Sequence, residues 1–245
     1  PYLETVGFGT ERIERDLVEL FPAVTVGRLD RDTSRRRGSE AVLLARFRHG
    51  DIQVLVGTQM IAKGHDFPNV TLVGVVSADV GLTVPDFRAA ERTFQLLTQV
   101  AGRAGRGDRL GHAIIQSYYP EHYSIAYACK QLYEPFFERE IRFRADLQYP
   151  PTLSIVNAVV RGRSHDAAMG DAGELASTIR AHNTNFKVLG PAVAPISRIR
   201  GQYRAQVFLK GTHRRSMREA LRMALANKPT LRRKVIIDVD PMTML

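Results

Sequence analysis

Apolar side chains along the first 120 residues follow two different periods. Apolar residues three and four positions apart, as in an amphipathic helix, occur at residues 11–21, 40–47 and 87–100. Short apolar runs rich in β-branched residues predict strands at 24–26, 52–56, 70–76 and 113–116. The runs at 52–56 and 70–76 lack polar alternation, so we expect strands buried on both faces, as in a parallel sheet. The first part of the chain is therefore predicted to be α/β, with a parallel sheet sandwiched by helices.

A different order of elements is predicted further along the chain. Residues 124–147 have a helical pattern rich in aromatic side chains, in which Pro135 should start or kink a helix. Two prolines within 149–152 break this pattern and mark a domain boundary. We therefore divide the chain into residues 1–120, a helical appendage at 121–149, and residues 150–245.

The last segment is predicted to be a smaller α+β domain with the element order β-α-β-β-α-β. Its strands are predicted at 154–160, 188–199, 203–209 and 235–239, and its helices at 166–182 and 215–226. Pro191 and Pro195 place the second strand at a sheet edge or a bulge. Gly201 and Gln202 are predicted to form a hairpin turn.

Composition limits the class of protein. The 245 residues are 44% hydrophobic and 24% charged, as in globular domains, and contain no apolar run of the roughly 18 residues that a membrane span needs. The chain opens on Pro1 without a secretory signal, so we expect an excerpt of a longer cytoplasmic protein. The single cysteine, Cys129, excludes a disulfide framework and a cysteine zinc site within the segment.

The net charge of +10 is unevenly distributed. Residues 1–147 contain 19 basic and 19 acidic side chains, whereas residues 148–245 contain 16 basic and 6 acidic ones, so 16 − 6 = +10 lies in the second part. A basic domain of this kind is typical of proteins whose partners are nucleic acids or acidic peptides.

The string QVAGRAGR at 99–106 carries the most specific chemistry. On a helix Gln99, Arg103 and Arg106 would share one face, and the small residues between them would let a phosphate group approach. A fixed guanidinium beside a transferring phosphoryl group stabilises the developing charge, an effect of ~10³–10⁵ in rate. The string resembles motif VI of superfamily 2 helicases. That resemblance implies that Arg103 and Arg106 are arginine fingers and that Gln99 contacts the nucleotide.

A second motif, GTQMIAKGHDFP at 57–68, follows the predicted strand 52–56. It places Thr58 at the strand end and Lys63 with Gly64 in a turn, where a hydroxyl and backbone amides can hold a phosphate. It resembles motif V of the same superfamily. The resemblance implies that Thr58 and Lys63 face DNA, while Gly64 and Asp66 face the nucleotide.

Longer blocks extend the resemblance from about residue 7 to residue 241. They are GFGTERIERDL (7–17), RLDRDTSRRRG (28–38), VLVGTQMIAKGHDFPNVTLV (54–73), the stretch from SADVGL to motif VI (77–106), LGPAVAP (189–195), RGQYR (200–204) and VDP (239–241). Together they resemble the primosomal protein N′ family of replication-restart helicases. The resemblance implies a second RecA-like helicase lobe, a helical appendage and the C-terminal domain of that family.

By this resemblance the full-length protein is an ATP-dependent DNA helicase that recognises stalled or abandoned forks and restarts replication by primosome assembly, in the cytoplasm at the nucleoid. ATP and Mg²⁺ are implied and shared with a first lobe, because this sequence has no Gly-Lys dipeptide of a phosphate-binding loop and no Asp-Glu-x-His box. Zinc is implied in the full-length protein, on cysteines upstream of this segment. We therefore expect the segment alone to be inactive. Its implied partners are forked and single-stranded DNA, the acidic tail of single-strand DNA-binding protein, and other primosome proteins.

Arginines flank the predicted hairpin turn in the basic domain. Strand alternation would place Arg198 and Arg200 on one face, and Arg204 follows Tyr203 on the next strand. Guanidinium groups beside an aromatic ring suit single-stranded DNA, because phosphates meet arginine and a base stacks on the ring. A solvated strand face with a packed tyrosine is an equally good interpretation.

A second cluster lies on the predicted helix 215–226 and just before it. Arg214, Arg218 and Arg222 are spaced by four, so they form one helical stripe suited to phosphates or to an acidic peptide. We assign the acidic tail of single-strand DNA-binding protein to this stripe, with a plain solvated helix face as the alternative. Asp238 and Asp240 are expected to pair with arginines rather than to hold a metal.

Two other functions stay open at this point. The segment could belong to a non-catalytic module that binds DNA or protein, or to another superfamily 2 translocase of repair or fork reversal. A phosphate-binding loop and an Asp-Glu-x-His box upstream would exclude the first alternative, and cysteine pairs immediately upstream would exclude the second.

Overall fold

The computed structural model describes residues 9–30, 38–62, 67, 69–104, 110–182, 185–226 and 228–244. The chain divides into two compact units. Unit 1 comprises Pro1–Val84 and Ala89–Phe136, and unit 2 comprises Pro85–Arg88 and Phe137–Leu245. This division differs from the boundaries that we expected at 120 and 149, and it assigns a short stretch from inside the first domain to the second unit.

Unit 1 alternates strands and helices, as its hydrophobic pattern predicts. Its elements are α1 (Thr10–Leu20), β1 (Val26–Leu29), α2 (Ser39–His49), β2 (Val54–Gly57), α3 (Gln59–Ala62), β3 (Leu72–Val75), a 3₁₀ helix (Ala78–Gly81), α4 (Ala89–Ala101), β4 (His112–Ile115) and α5 (Tyr123–Cys129). The next helix, α6 (Tyr133–Asp146), starts in unit 1 with Pro135 in its first turn, which confirms that this proline begins a helix.

The strands of unit 1 pair in parallel, which confirms the α/β class. In the described residues β1 pairs with β2 from Val26 opposite Val54, and β3 pairs with β4 from Leu72 opposite His112. The first strand begins at Val26 rather than at residue 24.

Burial on both faces, which we expected for 70–76, is wrong. The side chains of Leu72 and Ile114 are 60% and 63% exposed. Only the opposite face of β3 and β4, which carries Val75 and Ile115, packs against the core around Phe94 of α4. Because the uninterrupted apolar run does not distinguish the two faces, the sequence could not show which of them would be covered.

Unit 2 is a four-stranded antiparallel sheet with helices on one face. Its elements are β5 (Ser154–Gly162), α7 (His165–Ala181), β6 (Lys187–Ile199), β7 (Gln202–Gly211), α8 (Arg214–Ala226), α9 (Pro229–Arg232) and β8 (Val235–Val239). The strand order is β6-β7-β5-β8, which confirms the predicted β-α-β-β-α-β arrangement. The core joins β5 and β7 to α7 and α8, and includes Val160, Leu175, Val207 and Leu221.

Two features of β6 and β7 concern the site. The strand β6 lies at the edge of the sheet, as its prolines predict, and its register with β7 shifts between Leu189 and Ala192 and again after Val193. The hairpin turn consists of Arg200 and Gly201, with φ angles of +48° and +80°, because Ile199 pairs with Gln202. Two central residues of positive φ define a type I′ turn, so our turn at 201–202 is one residue too late.

Candidate nucleotide and nucleic-acid interface

The carboxyl ends of β1 and β2 lie side by side in unit 1. Leu29 and Gly57 are paired in register, so the residues that follow them, Asp30 and Thr58, meet at the same edge. A side chain at position 57 would collide with the carbonyl oxygen of Leu29 and with Ile61, so only glycine allows this approach. Thr58 is exposed directly after β2, at the edge where parallel sheets bind ligands.

Asp30 joins α1 to this edge. Its carboxylate accepts a hydrogen bond of 2.8 Å from the Thr10 hydroxyl, although only 8% of the residue is exposed. Arg28 lies between carboxylates, with Nη1 at 3.5 Å from Asp30 and Nε at 3.1 Å from Glu14 of α1. These contacts fix the N-terminal half of α1 against the strand end.

A second buried carboxylate orders the carboxyl ends of β3 and β4. Asp79 accepts hydrogen bonds from the Ser117 hydroxyl at 2.7 Å and from the backbone amides of Tyr118 and Tyr119 at 2.9 and 3.2 Å. Burial opposes ionisation, but the hydrogen bond from Ser117 and the two amides outweigh it and lower the pKa of Asp79. No local pattern in the sequence indicates this role of Asp79, because its partners lie 38 to 40 positions away.

The motif VI string begins on α4 and continues beyond it. Gln99 is exposed on the last turn of α4, which ends at Ala101. Arg103 follows in a tighter turn, in which its amide donates to the Val100 carbonyl at 3.0 Å, and its side chain is half-buried. Arg103 therefore lies beyond the end of the α-helix, so helical spacing alone does not set its direction relative to Gln99.

Four of the predicted residues lie outside the described part of the chain. They are Arg106 of motif VI and Lys63, Gly64 and Asp66 of motif V. Their assignments rest on the sequence alone.

At the hairpin of unit 2, the arginines and the tyrosine are placed differently from the alternation pattern. The ring of Tyr203 is half-buried against the core, and the guanidinium of Arg198 lies 5.1 Å from its centroid. Arg200 belongs to the turn and not to the strand face of Arg198, which corrects that expectation. Arg204 donates to the Ile196 carbonyl at 3.2 Å. Base stacking on Tyr203 would require Arg198 to move from the ring.

The arginine stripe of α8 is exposed along its length. Arg214 is engaged, because its Nε lies 2.7 Å from a carboxylate oxygen of Asp240 and donates to the Ser154 hydroxyl at 2.8 Å. This pair confirms the expected arginine partner for Asp240. Arg222 lies 3.5 Å from Glu219, whereas Arg218 has no ion pair or hydrogen bond within the described chain. Arg218 is therefore the member of the stripe best placed to meet an added anion.

Two features are absent from the described residues. Within the described ranges, no group of three or more histidine, cysteine or acidic side chains is arranged to hold a metal ion. The described helices include none that is both long and apolar enough to cross a bilayer.

Comparison with known proteins agrees with this geometry. The family model described as "Helicase conserved C-terminal domain" matches residues 8–108, and the one described as "Primosomal protein N C-terminal domain" matches residues 145–242. The chain is 42% identical to Replication restart protein PriA of Bacillus subtilis, over 100% of the chain and 31% of that relative. It is 38% identical to Replication restart protein PriA of Haemophilus influenzae, over 98% of the chain and 33% of that relative.

A third relative, Replication restart protein PriA of Rickettsia typhi, is 36% identical over 98% of the chain and 37% of its own length. The chain thus spans about a third of the length of the curated relatives that it matches. Both matched domains occur in the order that the two units display. The chain therefore belongs to the family of the replication restart protein PriA, and it corresponds to the C-terminal part of its members.

Proposed function

We propose that this chain is the C-terminal part of an ATP-dependent superfamily 2 DNA helicase that restarts replication at stalled or abandoned forks. The observation that carries the proposal is the placement of Arg103, half-buried in a fixed turn just beyond the helix end that carries the exposed Gln99. ATP would be held mainly by a first lobe, since no phosphate-binding loop occurs in this sequence. Arg103 and Arg106 would then place positive charge beside the phosphoryl group as it is transferred.

The edge residues of unit 1 support a link between nucleotide and DNA. Thr58 is exposed at the end of β2 and would donate its hydroxyl to a DNA phosphate. The network of Asp30, Thr10 and Arg28 holds the neighbouring strand end in place. We assign Lys63, Gly64 and Asp66 to the same edge from the motif V resemblance.

The proposal is tested by Arg103→Ala in the full-length protein. We expect DNA-stimulated ATP hydrolysis to fall by about 10³-fold or more while DNA binding is retained, because the arginine acts on the transition state. Gln95→Ala, on the exposed side of the same helix, is the matched control and should stay near the wild-type rate. Near wild-type hydrolysis by the Arg103 variant would remove the finger assignment and favour a non-catalytic binding module.

Unit 2 is proposed to bind DNA and an acidic peptide at separate places. Arg198, Arg200 and Arg204 would contact phosphates at the hairpin, with Tyr203 beneath Arg198. The α8 stripe would bind the acidic tail of single-strand DNA-binding protein, chiefly through Arg218. The affinity for a synthetic acidic tail peptide tests this assignment. Arg218→Ala should weaken peptide binding severalfold without loss of thermal stability. An unchanged affinity would place the peptide site elsewhere.

A further inference from the structure

Three connecting segments meet at one end of the unit 2 sheet. The strand β7 starts at Gln202, directly after the hairpin turn, and β5 ends at Gly162, opposite Tyr203. The strand β8 starts at Val235, opposite Val160 of β5. Because neighbouring strands are antiparallel, the β6–β7 hairpin, the turn from β5 to α7 and the corner from α9 to β8 share this end. We call it the hairpin end of the sheet.

The two segments beside the hairpin are held in fixed positions. Gly162 lets α7 approach the end of β5, because a Cβ atom there would lie 2.6 Å from the amide nitrogen of Ala168. At the corner, Leu231 of α9 is buried in the core. The amide of Arg161 donates to the Lys234 carbonyl at 2.9 Å, which ties the corner to β5. The fold therefore sets the backbone positions from which the side chains of this end extend.

Five exposed arginines occupy the hairpin end, and each of the three segments carries at least one. Arg198 and Arg200 belong to the hairpin, Arg163 follows β5 directly, and Arg232 and Arg233 lie at the corner. None of the five forms an ion pair with another residue that the structure describes. Their charges are therefore available to an added anion.

The carboxylates near these arginines offset little of their charge. Asp171 of α7 is already paired with Lys234, at 2.6 Å from its ammonium nitrogen. Asp166, on the first turn of α7, follows Arg163 by three positions and lies 3.1 Å from the imidazole of His165. Positive charge therefore predominates at the hairpin end.

The spacing of the three segments fits a polyanion better than a single small anion. In the strand order β6-β7-β5-β8, the hairpin and the corner are up to three strand spacings apart, about 14 Å at ~4.8 Å per spacing. A DNA strand carries one negative charge per ~3.4 Å of helix axis, so about four phosphates span this distance. The guanidinium group of arginine also matches a phosphate with two parallel hydrogen bonds. One DNA backbone can therefore meet all three segments.

We infer that Arg163, Arg232 and Arg233 continue the DNA site of the hairpin across the strand ends, so that the hairpin end of the sheet forms one surface for the phosphate backbone. This inference rests on the proposed function, because it extends the DNA contact of unit 2 beyond the hairpin. The surface consists of turns and strand ends with exposed side chains, so DNA reaches it without displacing packed residues. Contacts to phosphates carry no sequence information, so binding there is independent of base sequence.

The test measures the DNA affinity of the 245-residue chain by fluorescence anisotropy, with a labelled single strand and a labelled duplex, between roughly 50 and 200 mM salt. The corner variant combines Arg232→Gln with Arg233→Gln, and Arg163→Gln is measured separately. The charge-matched control combines Arg142→Gln with Lys187→Gln, two exposed cations of unit 2 outside the hairpin end. Thermal unfolding of each variant verifies that the fold is intact.

We expect the corner variant to weaken binding roughly three- to tenfold and to lower the slope of log affinity against log salt by about 1.4 on the single strand or about 1.8 on the duplex. Arg163→Gln should lower the slope by about half as much. Asp166→Asn, which removes a carboxylate beside Arg163, should tighten binding. A loss confined to one form of DNA supports the inference and identifies that form. Equal losses in the corner variant and the control would reduce the effect to net charge and overturn the inference.

A hairpin variant, Arg198→Gln with Arg200→Gln, separates failure of the inference from failure of the proposed function. If the hairpin variant loses affinity while the corner variant matches the control, the surface does not extend beyond the hairpin, and the proposed hairpin site stands. If both variants match the control, the inference and the hairpin assignment are both overturned, while the helicase assignment is tested by Arg103→Ala. Loss of acidic-peptide binding in the corner variant, with DNA affinity unchanged, would assign the corner to a protein partner and also overturn the inference.

Discussion

The ring of Phe87 stacks on that of Tyr149, with centroids 5.1 Å apart and planes inclined by 10°. The stretch around Phe87 is held at other points too. Arg88 donates to the Pro241 carbonyl at 2.7 Å, and Asp86 accepts from the amide of Met244 at 3.3 Å. The four residues that lead into α4 are therefore part of the C-terminal unit, whereas α4 itself belongs to unit 1.

Replacing Phe87 should therefore destabilise unit 2. We expect Phe87→Ala to lower the free energy of unfolding by about 2–3 kcal/mol, because a half-buried aromatic ring loses both its burial and its stacking partner. Phe87→Leu keeps the apolar burial and should cost only about 1 kcal/mol. Urea unfolding, monitored by hydrogen exchange of the β8 amides, measures the free energy of unfolding of both variants. Equal costs for the two would show that stacking contributes nothing.

Asp79→Asn should destabilise unit 1 in a pH-dependent way. At pH 7 we expect a loss of about 1–3 kcal/mol, because an amide cannot accept the three hydrogen bonds that the carboxylate accepts. The folded-state pKa of Asp79 is lowered, so its stabilisation is complete above the unfolded pKa of about 4 and disappears as the pH falls through the folded value. The difference between wild type and variant should therefore shrink in acid.

Thermal unfolding across a pH series measures this difference. Asp51→Asn, an exposed carboxylate of the same unit, is the control and should change stability by less than about 0.5 kcal/mol at any pH. A constant difference between pH 7 and pH 2 for Asp79→Asn would contradict an ionised Asp79.

Two glycines of unit 1 should respond oppositely to alanine. Gly57→Ala brings a methyl group against the Leu29 carbonyl and Ile61, so we expect a loss of at least about 2 kcal/mol and a shift of Thr58. Gly74→Ala meets no heavy atom within 4 Å in β3 and should be neutral or stabilising. In the full-length protein, DNA-stimulated hydrolysis should fall for the first variant alone. Similar behaviour of the two variants would contradict the close approach of β1 and β2.

Arg200 should lower the stability of the hairpin and strengthen its binding to DNA. It occupies a left-handed turn position with φ +48°, which favours asparagine or glycine over arginine. We expect Arg200→Asn to stabilise the hairpin by up to about 1 kcal/mol and to weaken DNA binding, because the exposed guanidinium is lost. Chemical denaturation and anisotropy measure the two effects. A lower free energy of unfolding in the variant would contradict strain at this turn position. An unchanged DNA affinity would contradict a contact between Arg200 and DNA.

Lys187 of β6 lies directly opposite Lys210 of β7, and the repulsion between the two amines should be visible in lysine reactivity. Lys187→Gln removes the repulsion and should raise the pKa of Lys210 toward its ordinary value, which slows acetylation of Lys210 near pH 9. Mass spectrometry gives the rate, with the exposed Lys130 as internal reference. Because the folded-state pKa of Lys210 is lowered, its positive charge costs stability below that pKa, and the cost disappears as the pH rises. An unchanged acetylation rate would contradict direct coupling of the two amines.

Local pattern determined much of the fold. The strands and helices of unit 2 fall within a few residues of their predicted bounds, because Gly, Pro and polar clusters separate segments of clear period. The motifs around Thr58 and Gln99 could be recognised in the sequence for the same reason, since their residues lie close together along the chain. Errors arose where packing against distant elements decides which face is covered, as at β3, whose exposed Leu72 is apolar like the half-buried Val73 and Val75.

The sequence by itself determined the order of elements, the basic character of the second part and the helicase motifs, since these depend on residues within a few positions of one another. Only the tertiary structure decided that Asp79 binds the amides after β4, that Phe87 packs in unit 2, and that Lys187 lies opposite Lys210. These relationships depend on strand register and on contacts between distant segments. A shift of one residue would reverse the face of every side chain in a strand, so no local pattern fixes them.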